Sequence, residues 1–257
     1  SSACKVVLCQ AKTFFKRLGT ESMALINISR LLVTGFDFSP LRQLHYGISH
    51  PTDVALAWNQ GFKTLFARPG QGKQAIEAMA NDIVDHPMYD TLKANGAAIE
   101  GAEEYATSAK LAGSERAKAP IEERLTTRAE DSYINNLVLK IPGLKRSQAV
   151  YTLTLAKARL ETASRAYTKL RASGAAADEI EEVMKVINAA TGRGPLGPLE
   201  GSGDLTSLLL FAPRLFAAKL YLPWKLLDPM ASKAARLEAG RALLGGAAFT
   251  ASLLGAA

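Results

Sequence analysis

Apolar positions recur at three- and four-residue spacing along most of the chain, the period of helices that bury one face. Over residues 3 to 33 the pattern predicts one or two helices, with Phe14, Phe15 and Leu18 beside Lys12, Lys16 and Arg17. Gly35 and Pro40 break it, and Ser39 is placed to cap a short helix over 40–48 with Pro40 at its first position. Pro51 opens the next helix, whose stripe is Val54, Ala57, Trp58, Gly61, Phe62 and Leu65, with Asp53 in the first turn to suit the helix dipole. After ARPGQGK, a helix over 73–84 and a shorter one over 87–95 follow, closed by Gly96.

The pattern then fades. Residues 97–129 are small, charged and poor in large apolar side chains, so they have little burial to offset the entropy of ordering. They are expected to form a mobile connector between an N-terminal helical region, 1–96, and a C-terminal one, 130–257. Glu103-Glu104 and Glu122-Glu123 read as solvated charge pairs.

Apolar periodicity returns over 130–140 and is clearest over 147–172, where Leu153, Ala156, Leu160, Ala163, Tyr167 and Leu170 line one face. Lys157, Glu161 and Arg165 form a charge ladder assigned to the opposite, solvated face, and Ser147 is the expected N-cap. Gly174 ends the helix, and a second one containing Ile180, Val183, Met184 and Ile187 completes an expected antiparallel hairpin. A loop over 191–203 follows, with Asp204 as a cap for an apolar segment that Pro213 should interrupt and Pro223 and Pro229 should bound. A last helix begins near Ser232 and carries no charge from Ala242 onward. The expected fold class is therefore all-α: an irregular multi-helix assembly with a helical hairpin and an apolar C-terminal helix.

Composition agrees, with 48% hydrophobic and 21% charged residues, too apolar for a disordered chain of 257 residues. The formal net charge of +7 points either to ordinary solubility or to a polyanionic partner, DNA or an anionic membrane surface. Cys4 and Cys9 are five apart and match no metal-ligand or redox spacing. The uncharged stretch 242–257 is shorter than the roughly 20 residues of a membrane span. The chain starts on Ser1 and stops inside this apolar run, so a fragment of a longer polypeptide is expected.

No motif points to a reaction or a cofactor. Gly192, Gly194 and Gly197 match GxGxxG in spelling, but they follow a helix rather than a strand, and prolines interrupt them. GQGK, Gly70 to Lys73, lacks the first glycine and the Ser or Thr of a phosphate loop. His45, His50 and His86 form no metal-ligand set, and no nucleophile elbow is present. The candidate interaction residues are Arg193, Arg214, Lys219 and Trp224, polar or aromatic groups set in helix-breaking or apolar sequence. Each arginine is placed either to satisfy carbonyls or acids within the fold or to reach lipid phosphates. Gly192, Gly194 and Pro213 are the expected hinge between a solvated hairpin and a membrane-like C-terminal part.

INAATGRGPLGPLE followed by LLLFAPRLFAAKLYL resembles an α-helical domain of the very large polyvalent proteins of phages and mobile elements. LLVTGFDFSPLRQLHYGISHP and the ARPGQGKQA…DHPMYDTL region are similar to the part preceding it. The matching positions are Thr191, Gly192, Arg193, Gly194, Phe211, Ala212, Pro213 and Arg214. The resemblance implies a non-enzymatic structural or interaction module without an assigned activity, part of a chain in which other domains are enzymatic. It also implies entry into a recipient cell with DNA, location in the virion or host cell, and contact with membrane, virion proteins or neighbouring domains. A basic DNA-binding helical module is the alternative. An enzyme would need a pocket joining Arg193, Arg214 and a histidine.

Overall fold

The computed structural model describes residues 44–68, 70–111, 144–195 and 213–255. Eight α-helices make up most of them: α1 Leu44–Ser49, α2 Pro51–Leu65, α3 Gly72–Val84, α4 Tyr89–Ala94, α5 Leu144–Ala172, α6 Ala177–Ala190, α7 Pro213–Leu227 and α8 Lys233–Gly255. Two single 3₁₀ turns, Glu100–Ala102 and Ala109–Leu111, complete the described set, which contains no strand. The all-α class expected from the periodicity is the class observed. The expected elements over 3–39 with their Ser39 cap, over 130–140, and over 196–212 with the Asp204 cap lie outside the described residues, as do Cys4, Cys9 and Glu122-Glu123.

The 29-residue helix α5 is the centre of the assembly. Helices α2, α3, α4 and α6 all pack on it, while α7 and α8 pack on α6 and on each other, and α8 also covers α1. One continuous apolar core results, running from Tyr46 and Val54 through Ile83, Leu92, Leu153, Leu160, Met184 and Ile187 to Leu222, Ala235 and Ala242. Elements on both sides of the expected connector thus share a single core. The connector itself is corrected over its first half. Ala97, Ile99, Gly101, Ala102 and Ala106 are buried, because small residues let this segment lie close against α5. Its backbone is satisfied by a side chain: Ala98 N–H donates to Asn188 Oδ1 at 2.9 Å, and Asn188 Nδ2 donates to Gly96 O at 2.7 Å. Glu103, expected to be solvated, is buried. It accepts from the Tyr89 hydroxyl at 2.9 Å and from the Lys93 ammonium.

The charge ladder of α5 is a second correction. From Gln148 to Ala163 nearly every side chain is buried, whichever way it points, because α2, α3 and α6 surround the helix. Lys157 is buried between Asp82, at 2.8 Å, and Glu161, at 2.9 Å. Arg165 reaches back to the buried Asp53 of α2, 2.5 Å away, and Thr162 donates to the same carboxylate at 3.5 Å. Thr154 sits so close to α2 that a Cβ on Gly61 would lie 2.2 Å from its hydroxyl, which is why α2 carries glycine there. Ser147 lies inside α5, which starts three residues earlier than the capping rule suggested. At the other end Gly174, with φ +76°, ends the helix in a left-handed turn. Gly174 N–H reaches Arg171 O and Ala175 N–H reaches Leu170 O, closing the last carbonyls of α5.

Two buried charge pairs give the fold a defined response to acid. Burial pushes the Asp82 carboxyl up, but the hydrogen bonds and charge of Lys157, with Gln60, outweigh it and hold it below its ordinary value. Burial likewise pushes Glu182 of α6 up, and Lys225 and Ser232 outweigh it. A carboxyl depressed in the folded state adds stability above its unfolded value, about pH 4, and that stability is lost as pH falls through the folded value. Thermal melts are therefore expected to be level from about pH 7 to 5 and to drop steeply below about pH 4. A melting temperature unchanged down to pH 2.5 would contradict this pairing.

Candidate functional site

The loop after α6 is built by its own motif. Thr191 caps α6, and Gly192 takes φ +90°, where a Cβ would be strained. Gly192 N–H then reaches Ala189 O at 2.9 Å and Arg193 N–H reaches Asn188 O at 2.8 Å, the paired bonds of a Schellman turn. The Thr191 hydroxyl accepts from Arg159 Nε at 2.7 Å, while its carbonyl accepts from Nη2 at 3.1 Å. Arg159 Nη1 also donates to Ala98 O, at 3.2 Å, so one guanidinium on α5 ties this loop to the 97–98 segment. Arg193 is buried and pairs with Glu100 at 3.0 Å. Gly194 faces α7 so closely that a Cβ would fall 2.2 Å from Ala218 N.

The candidate residues therefore separate. Arg193 is not a surface group: its charge is spent on Glu100, across from the buried former connector, so it is corrected from interaction to structure. Gly192 and Gly194 hold a fixed turn and a close helix contact. Pro213 is the first residue of α7, and whether it interrupts a longer apolar segment lies outside the described residues, as do Phe211 and Ala212. Arg214 stands in the first turn of α7, and its side chain is not among those described. Pro223, expected to end the segment, lies inside α7 on its exposed side. The carbonyl of Lys219, which would have accepted its missing N–H, is left to water there, so the helix continues.

Lys219 and Trp224 come together with residues the sequence did not single out. Leu220, Trp224 and Leu227 follow at four- and three-residue spacing on α7 and share one face, with Trp224 70% and Leu227 78% exposed. Met230, in the turn, is 90% exposed, and Leu237 and Leu244 are exposed one heptad apart on α8. Among the described side chains of residues 217–255, the exposed charges are Lys219, Lys233, Arg236 and Arg241, all cations. The two acids of this region are turned inward. Asp228 pairs with Lys225 at 3.3 Å, and the buried Glu238 faces His50 at 3.1 Å and Arg241 at 3.5 Å. Lys225 also holds Glu182 of α6 at 2.6 Å, and Ser232 N–H donates to the same carboxylate at 2.9 Å. These bonds fix the hairpin on the body while leaving its outer side apolar and basic. The signal was present in the sequence, since 213–257 holds six cations and two acids, but only packing shows which of them face outward.

A polar locus lies where α1 meets α8. The Tyr46 hydroxyl is fully buried, and burial, then the nearby Glu238 charge, raises it well above the usual phenol range. The His50 Nε2 and Glu238 Oε1 contact is close but off the hydrogen-bonding direction, which leaves that oxygen without a donor. His86 accepts from Met88 N–H at 3.2 Å. Arg193 and these two histidines thus serve different partners. No group of three His, Cys, Asp or Glu among the described residues is arranged to hold a metal ion. No described helix is long and apolar enough to cross a membrane, and α8 instead enters the core through Ala235, Ala239 and Ala242.

Comparison with known proteins finds no match to any family model, any curated protein or any solved structure.

Proposed function

We propose that the α7–α8 hairpin docks the chain on an anionic membrane surface, lying in the interface rather than spanning it. The observation that carries this is the composition of its outer side: exposed Leu220, Trp224, Leu227, Met230, Leu237 and Leu244 interleaved with exposed cations and with no exposed acid among the described side chains. Tryptophan suits the boundary between headgroups and acyl chains, and lysine and arginine stems lie along apolar surface with their charges at lipid phosphates. Each cation near such a surface adds about 1 kcal/mol. The rest of the chain is then a helical scaffold that presents this surface. The resemblance to the helical domain of polyvalent proteins supports the same reading, a non-enzymatic interaction module of a phage-type protein, with virion or host partners.

Flotation with liposomes tests it. The chain is expected to float with phosphatidylglycerol vesicles at low salt and to stay at the bottom with phosphatidylcholine alone. Replacing Trp224 and Leu227 by alanine removes two exposed side chains that support no core, so binding should fall at least about tenfold, the equivalent of about 1.4 kcal/mol, with the melting curve unchanged. Failure to float with the anionic vesicles at low salt overturns the proposal.

A further inference from the structure

The outer side of α2 carries a separate surface of a different kind. Trp58, Phe62 and Phe66 follow at four-residue spacing and form a ladder of rings, with centroids 5.3 Å and then 6.3 Å apart. The Phe62 and Phe66 planes are within 14° of parallel. Trp58 packs partly against the core and anchors the inner end, while Phe66 at the outer end is 78% exposed. The charge around the ladder has one sign. From Val54 to Ile76 the chain has three charged side chains, Lys63, Arg68 and Lys73, and all three are exposed cations. The nearest acids downstream are engaged: Glu77 with Lys73 at 3.6 Å, and Asp82 with Lys157 and Gln60. The corner between α2 and α3 is also rigid. The Arg146 guanidinium donates to Thr64 O at 2.6 Å and to Ala67 O at 2.9 Å, and it fills the space beside Gly72, whose absent Cβ would lie 3.2 Å from it. Rings and cations are therefore held in a fixed relation before any partner arrives.

We propose that this face binds single-stranded nucleic acid, with bases stacking on Phe62 and Phe66 and phosphates paired to Lys63, Arg68 and Lys73. Near-parallel rings favour a flat aromatic partner over the disordered chains of a lipid, and exposed cations beside a π-surface with no free carboxylate favour a polyanion. A duplex hides its base faces and offers the ladder nothing to stack on. The face is distinct from the α7–α8 hairpin, and the two assignments stand or fall separately.

Fluorescence anisotropy of a labelled oligothymidylate with the full chain tests this. Binding is expected to weaken steeply with salt. F62L/F66L keeps apolar bulk on α2 but removes the π faces, and should weaken binding at least about tenfold with unchanged circular dichroism. K63A/R68A should lower the slope of log K against log salt by about 1.4, two phosphate contacts on a single strand. W224A/L227A should leave oligonucleotide binding as it was. Oligonucleotide affinity equal to wild type in F62L/F66L overturns the proposal. So does loss of vesicle flotation in that variant with oligonucleotide binding retained, which would make this a second lipid-facing surface.

Discussion

Gly194→Ala is expected to destabilise the protein by about 3 kcal/mol or more, the top of the range for overpacking. The atom it adds meets backbone, not a movable side chain: Ala218 N at 2.2 Å, Ala218 Cα at 2.6 Å and the Ala217 carbonyl carbon at 2.7 Å. The loop cannot yield, because Gly192 N–H and Arg193 N–H are committed to α6 and the Arg193 side chain to Glu100. Helix α7 must therefore move off α6, loosening Ala218 and Leu222 from the core. Domains of this kind are stable by only about 5–15 kcal/mol, so urea unfolding should show a clear shift in midpoint. Gly255→Ala is the control, since a Cβ there meets nothing within 4 Å. A loss below about 1 kcal/mol for Gly194→Ala would mean that α7 does not pack as described.

Arg159→Met is the second large effect, at about 3 kcal/mol or more. Methionine fills much of the same space, so the loss reports bonds rather than volume. The guanidinium is 1% exposed and bridges Thr191 and Ala98, segments 93 positions apart in sequence. Removing it leaves buried carbonyls without their donors, each at a cost of about 1–3 kcal/mol. Lysine at the same position keeps the charge but not the fork, and should recover only part of the loss. The exposed pair Lys185–Glu181 sets the scale for comparison, since Lys185→Met should cost about 0.5 kcal/mol or less. Equal costs for Arg159→Met and Lys185→Met would show that Arg159 does not join the two segments.

These two residues also mark where sequence reasoning reached and where it stopped. Local chemistry was legible. Pro51 opens α2, Gly96 and Gly174 end helices with positive φ, and α3, α4, α6 and α8 fall within a few residues of their expected bounds. Each of these depends on neighbours in the chain. What failed depended on neighbours in space. Lys157, Glu161 and Arg165 have the spacing of a solvated face, but α2 and α3 cover that face and supply Asp53 and Asp82. Residues 97–111 look too small and polar to fold alone, yet small size is what lets them pack against α5, with Asn188 satisfying their backbone. Glu103 and Glu104 are adjacent and alike in type, but only Glu103 points at Tyr89 and Lys93.

The candidate site divides the same way. Lys219 and Trp224 were visible as a cation and an aromatic in an apolar segment, and both are exposed. Arg193 looked equivalent to them and is buried, because its partner Glu100 lies 93 residues away in the stretch assigned to a connector. The exposed Leu227, Met230, Leu237 and Leu244 could not be told in advance from core residues, since burial in this hairpin falls to alanines: Ala218, Ala235, Ala239 and Ala242. Small residues inside and large ones outside invert the usual pattern, and that inversion is the basis for assigning the hairpin to a membrane surface.

The most direct measurement is the fluorescence of Trp224 in a Trp58→Phe background, where it is the sole tryptophan of the chain. Titration with phosphatidylglycerol vesicles at low salt should shift its emission to shorter wavelength, and acyl-brominated lipid should quench it, while phosphatidylcholine vesicles leave it unchanged. An emission maximum that stays put with anionic vesicles, without quenching by brominated lipid, would contradict membrane docking through this hairpin.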